Sequence, residues 1–221
     1  MKLLFNALTK FICGIVLVGA LIFWPAGTLN YKDGWIFMGV LFVPIFILGI
    51  VLLIKSPELL QKRLDGKEKE KTQKGVVAFS GLIFLGGFIV AGLDFRFGWS
   101  SMSIAVKIAA IGLFLVSYAL YAEVMRENAY LSRTIEVQEN QKVVDTGLYG
   151  IVRHPMYAAT VIMFLSIPLI LGSWFAFGIF LAYPVIIALR ISNEEKVLTE
   201  QLDGYKEYKQ KVKYRMIPFI W

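Results

Sequence analysis

The chain contains one histidine and one cysteine in 221 residues, too few for a Cys/His zinc site, a bis-histidine haem or a Cys–His nucleophile pair. It also lacks a G-x-S-x-G elbow, a G-x-G-x-x-G turn after a strand and a G-x-x-x-x-G-K-[ST] loop, which disfavours hydrolase, Rossmann and P-loop chemistry. The lone Cys13 sits inside an apolar run, allows no disulfide and reads as a small packing residue. No internal repeat is visible, and no interrupted apolar segments recur in matching halves as an inverted-repeat transporter would show. Charge is scarce as well: 18% of residues are charged against 57% hydrophobic, and the mean hydropathy is +0.66. That balance exceeds what a water-soluble surface tolerates and defines an integral membrane protein.

The apolar residues fall in runs long enough for helices that cross about 30 Å of hydrocarbon. Leu3 to Pro25, Trp35 to Ile54, Gly75 to Leu93 and Met102 to Ala122 each read as one span. The stretch Met156 to Ile191 is too long for one helix and is interrupted by Gly172-Ser173, a turn-forming pair, so it reads as a tight helical hairpin. The expected fold is therefore all-α, a polytopic membrane helix bundle of about six spans, four plus the C-terminal hairpin, with cytoplasmic amphipathic helices. The whole of 1–221 is expected to form one membrane domain, with four spans in 1–122 and the polar, functional region in 123–221.

Lysine and arginine set the expected orientation. The connection KSPELLQKRLDGKEKEKTQK is densely basic, whereas PAGTLNYKDG and DFRFGWSS carry a single basic residue each. Both termini, residues 123–155 and everything after Ile191 are thus expected on the cytoplasmic side. The formal net charge of +7 is accounted for by this bias and by attraction to anionic membrane lipids. Nucleic acid is not an expected partner, because that would require a basic face on a soluble domain. Lys2 and Lys10 ahead of an apolar run resemble the start of a signal sequence, but the later spans make an uncleaved anchor the expectation. The ending IPFIW is not a C-a-a-X box, so the chain is not expected to be prenylated itself.

Polar residues gather in three C-terminal groups. In KVVDTGLYGIVRHPMY, Gly147 and Gly150 permit tight turns and close approach of a ligand, and Pro155 keeps His154 out of helical geometry while starting the next helix. A helix N-terminus there suits a carboxylate or phosphate. Equally, Arg153 and His154 can mark a water interface, with Tyr149 and Tyr157 as an aromatic belt. In ALRISNEEK, Arg190 and Glu194 share a helical face and Glu195 occupies the neighbouring one. Acids next to hydrocarbon are costly unless paired or hydrated and usually mark function; a helix end with a snorkelling arginine is the plainer reading. In GYKEYKQKVKYRMIPFIW, Tyr205, Tyr208 and Val212 recur on one face between lysines, the pattern of an interfacial helix, a lid over a site, or both.

These groups, in this order, resemble the isoprenylcysteine carboxyl methyltransferase and phospholipid methyltransferase superfamily of integral membrane enzymes. GLYGIVRHPMY, a hairpin, the pair Glu194-Glu195 and the ending Y-x-x-Y…V-x-x-R-x-I-P carry the resemblance, over roughly residues 140 to 221. It implies S-adenosyl-L-methionine as cofactor, bound on the cytoplasmic side without a Rossmann domain. By similarity Gly147, Tyr149, Arg153 and His154 belong to the cofactor site, His154 near the methionine carboxylate, with Val143 and Val144 along the adenosine. Glu195, Tyr205 and Tyr208 are implied as further cofactor contacts, Arg215 as part of the closure, and Arg190 and Glu194 as the catalytic pair near the transferred methyl. No metal is implied. The acceptor is expected to be lipophilic or membrane-associated: an isoprenylcysteine-like carboxylate, a phospholipid amine or a small thiol. Ala158-Ala159 stand where many relatives have a small residue or glycine, a mild departure.

NADPH-dependent sterol and steroid reductases carry a similar RHP-x-Y motif, usually with an acidic residue close behind it. Here AATVIMF follows Tyr157, and the later acidic pair favours the methyltransferase. A membrane scaffold would explain the helices but not the gathered Arg, His and Glu residues.

Overall fold

In hydrocarbon each backbone N–H and C=O must find its partner within the chain, and a helix satisfies them locally. The computed structural model describes residues 2–64, 71–131 and 137–221, and among these it contains helices and no strand. The first four apolar runs become α1 (Lys2–Ala26), α2 (Lys32–Lys55), α4 (Lys71–Phe97) and α5 (Ile104–Glu127), with a short α3 (Pro57–Leu64) after α2. The expected basic connection is therefore partly helical: α3 buries Leu59 and Leu60 and leaves its polar face outward. Residues 65–70 of that connection, and 132–136 of the segment after the fourth run, lie outside the described residues.

The hairpin is present and turns where Gly172-Ser173 predicts. Its first arm is α6 (Pro155–Ile170); the second is α7 (Trp174–Phe180) followed by α8 (Ala182–Gln201). The second arm divides at Leu181 because Pro184 has no N–H for the carbonyl of Phe180 and its ring crowds that carbonyl. Among the described residues, five segments are long and apolar enough to cross a membrane: α1, α2, Gly75–Phe97, α5 and Trp174–Gln201. With 16 residues, α6 rises about 24 Å and is short for a full crossing. No break follows Ile191, so Arg190, Glu194 and Glu195 share one continuous helix.

Polar side chains fasten the hairpin turn to the bundle. Gly172 adopts a positive φ of 75°, and Ser173 Oγ caps α7 by accepting the Ala176 N–H at 3.0 Å. The same hydroxyl donates to Asp94 Oδ2 at 2.5 Å, while Asp94 also accepts the Ser100 N–H and O–H at 2.7 and 2.6 Å. Tyr31 donates to the Leu171 carbonyl, and Lys107 pairs with Asp33 beside the turn at 2.5 Å. A buried Asp94 is tolerable because its oxygens are met by donors.

One apolar cluster, including Ile22, Phe37, Phe88, Phe114, Ile167, Phe180 and Ile187, joins the early helices to the hairpin. The most extensive packing is α5 on α6 and α1 on α4. Small residues allow it, as in membrane bundles generally. A Cβ on Gly92 would fall 2.5 Å from the Ile22 carbonyl oxygen of α1, where backbone cannot yield. Gly92→Ala is expected to separate α1 from α4 and cost about 1–3 kcal/mol, the usual range for overpacking. Thermal unfolding of the detergent-purified variant beside the wild type measures this.

Candidate active site

The site begins with a backbone clamp. A 3-10 turn over Gly147–Gly150 leads into Arg153 and His154, and Pro155 opens α6 at a position needing no N–H. The Arg153 N–H donates to the Tyr214 carbonyl at 2.9 Å and the His154 N–H to the Arg215 carbonyl at 2.8 Å. The RHP loop is thus paired with the extended segment after α9 (Tyr205–Lys211). Arg153 Nη1 adds bonds to the Val212 and Lys213 carbonyls at 2.7 and 2.8 Å.

Glu195 completes the clamp from α8. Its Oε1 accepts from Arg153 Nε at 2.7 Å and lies 3.3 Å from His154 Nε2, and its Oε2 accepts from Arg215 Nε at 3.1 Å. The Glu195 and Arg153 side chains are only 3% and 6% exposed. Lys209 is more peripheral, 3.9 Å from Oε2 and partly exposed, where ion pairs contribute little. The carboxylate therefore binds α8, the RHP loop and the C-terminal strap together through charge-assisted hydrogen bonds.

Beside this clamp lies a cavity lined by all the expected site residues except Gly147, Glu195 and Arg215: Val143, Val144, Tyr149, Arg153, His154, Arg190, Glu194, Tyr205 and Tyr208. Segments far apart in sequence converge there. Arg190 Nε donates to the Tyr157 hydroxyl at 2.8 Å, and that hydroxyl donates to Glu194 Oε2 at 2.6 Å. Tyr208 donates to the Tyr149 carbonyl at 2.7 Å, and Asn128 Nδ2 donates to the Tyr149 hydroxyl at 3.0 Å. The buried Tyr205 hydroxyl has no hydrogen-bond partner among the described residues. Burial pushes Tyr149 up to about 12, and raises Tyr205 and Tyr208 above the ordinary phenol range, Glu195 adding to the first. All three phenols are neutral at physiological pH and able to donate.

The stripe of Tyr205, Tyr208 and Val212 faces protein, packing with Leu202, Leu198 and Val143. Gly147 serves the turn: its φ is +52°, and a Cβ there would fall 2.8 Å from the Glu127 carboxyl carbon, which also holds Thr146 Oγ1 at 2.8 Å through Oε2. Glu195 acts from behind the cavity wall.

Sequence reasoning did not assign Asn128, Tyr130, Leu131, Gln141, Lys142, Met156, Leu198 or Leu202 to the lining, and named Tyr157 only in the alternative reading, as part of an aromatic belt. Leu198 and Leu202 follow Glu194 at helical spacing, a usable signal. Tyr157 lies inside the RHP-x-Y motif itself. Asn128 and Tyr130 carried no signal, since only folding brings the end of α5 to the RHP loop. Among the described residues no group of three or more His, Cys, Asp and Glu side chains is arranged to hold a metal.

Residues 102–204 match the family described as phospholipid methyltransferase, part of the integral membrane methyltransferase superfamily. The match takes in α5 to α8 and stops before α9 and the strap. No individual curated protein matches the chain.

Removing Glu195 would leave Arg153 buried without its carboxylate, a change that typically costs about 3–5 kcal/mol. Glu195→Ala should therefore unfold at clearly lower temperature in detergent, whereas a surface acid would leave the midpoint in place. Tyr205→Phe removes a buried hydroxyl that has no hydrogen-bond partner among the described residues, so its ligand-free melting temperature should equal or exceed that of the wild type.

Proposed function

We propose that this protein, whose residues 102–204 belong to the phospholipid methyltransferase family, uses S-adenosyl-L-methionine to methylate a lipophilic or membrane-associated acceptor at the cytoplasmic membrane boundary. The observation that supports it most is the mixed lining of one cavity at the end of the apolar helices. Tyrosine rings and the Glu194 carboxylate suit a sulfonium cation. Arg153 and Lys142 suit a carboxylate, and Val143, Val144, Leu198 and Leu202 offer an apolar bed for a base. Tyr205 has a hydroxyl to give to a ligand. These are the chemical features of S-adenosylmethionine, and the donor set fits it.

The cofactor, when bound, supplies a methyl group on a positively charged sulfur. The acceptor's bond to the methyl forms as the carbon–sulfur bond breaks, and the electron pair stays on sulfur. The protein then has mainly to hold the reactants in line and keep water out. Arg153 and His154, immobilised by Glu195 and the strap, fix the cofactor end of the cavity. Tyr205 and Tyr208 form the cover. Arg190 can orient a carboxylate acceptor, and Glu194 can take the proton from an amine or thiol. Both termini and this mouth would face the cytoplasm, as the basic connections require.

Calorimetric titration of the purified protein with S-adenosylmethionine, and separately with NADPH, tests the reading. Saturable binding of the first alone is expected, and His154→Ala should weaken it by about 1–3 kcal/mol, the range for a lost partner to a buried polar group. Binding of NADPH alone would replace the methyltransferase with a reductase, and binding of neither to folded protein would point to a scaffold.

A further inference from the structure

Tyr157 stands in the first turn of α6, on a different helix from the two residues it joins. Its hydroxyl receives the Arg190 Nε–H at 2.8 Å and reaches Glu194 Oε2 at 2.6 Å. The direction of both bonds is forced. A guanidinium only donates, so the phenol oxygen is the acceptor on that side, and the single phenolic hydrogen goes to the carboxylate. The Arg190 guanidinium also lies 6.0 Å from the centre of the same ring.

Arg190 and Glu194 are a turn apart on α8, and long side chains at that spacing have many rotamers open to them. Tyr157 removes this freedom. It is 6% exposed and belongs to the apolar cluster shared by α6 and α8, so its hydroxyl is held by a rigid ring on a packed helix. Packing alone would be served by phenylalanine. The hydroxyl is explained by the two charges it spans, and occupying Glu194 Oε2 leaves Oε1 for a second partner.

We infer that Tyr157 is a positioning residue for the transfer reaction, its hydroxyl fixing the separation and the donor–acceptor polarity of Arg190 and Glu194 within the cavity. This rests on the reading of those two residues as the groups that meet the acceptor. Supporting groups on rigid elements are what hold a reactive pair to the tolerance that in-line chemistry requires. The cofactor end, organised by Arg153, His154 and Glu195, does not depend on this hydroxyl.

The test compares full-length wild type and Tyr157→Phe in detergent–lipid micelles. The probes are methyl-labelled S-adenosylmethionine with phosphatidylethanolamine vesicles, a farnesylated cysteine and a long-chain thiol as acceptors. For Tyr157→Phe, kcat should fall by about 10- to 100-fold, the scale of a misplaced reacting group. Its KM and calorimetric Kd for S-adenosylmethionine should stay within about twofold of wild type, the pattern of an interaction used in the transition state. Active wild type beside Tyr157→Phe with unchanged kcat would overturn the inference alone. Parallel loss of cofactor affinity would also overturn it, moving Tyr157 into the cofactor site or the fold. Label transfer by wild type to none of the acceptors would count against the methyltransferase reading and remove the inference with it.

Discussion

The buried carboxylate of Glu195 is the interaction on which the C-terminal half depends. It takes hydrogen bonds from Arg153 and Arg215 and neighbours His154, so the RHP loop and the strap, tens of residues apart, have one common partner on α8. A charge buried at this depth is affordable only with such company. Once Arg153 is held by Glu195 and by the carbonyls of Val212 and Lys213, the backbone of the RHP loop and that of the strap lie side by side. The cavity wall formed by Tyr149, Arg153 and His154 follows from that arrangement.

The opposite end of the hairpin is secured by a different chemistry. Asp94, Ser100 and Ser173 form a closed set of hydrogen bonds around the turn, with Lys107–Asp33 and Tyr31–Leu171 beside it. The hairpin is consequently pinned by polar groups at both ends and by aromatic packing between them. Residues on α6 and α8 thereby keep a fixed relation, the condition under which a hydroxyl on one helix can set two charges on the other. Close passage of α4 against α1 and α7, through Gly92 and Gly87, gives the hairpin a firm surface to rest on.

On the proposed reading as a membrane methyltransferase, the protein's catalytic needs are modest. Little charge has to be created, and positioning supplies most of what a protein can contribute. That economy fits a chain with one histidine and one cysteine, and it explains why the polar residues are concentrated in one region rather than spread through the spans. The family match ends at residue 204, yet Tyr205, Tyr208 and the strap residues that grip Arg153 lie beyond it, so the cover over the cavity is structurally continuous with the matched region.

Much of this was legible in the chain, because hydropathy, turn chemistry and helical spacing act locally. Apolar run lengths determined α1, α2, α4 and α5; Gly172-Ser173 determined the hairpin turn; and Pro155 determined the start of α6. The RHP motif and the acidic pair likewise marked the region of the site. Which atoms meet was decided only by tertiary structure. Glu194 and Glu195 are adjacent in sequence and about 100° apart around α8; one lines the cavity through Tyr157 and the other turns away to Arg153. Spacing puts Glu194 on the face of Arg190, but the side of a helix that faces a cavity is set by the partners packed on it. For the same reason local spacing left Tyr157 open to an alternative reading as part of an aromatic belt, and the tyrosine stripe of α9 open between an interfacial helix and a lid, whereas long-range packing gives each its neighbours.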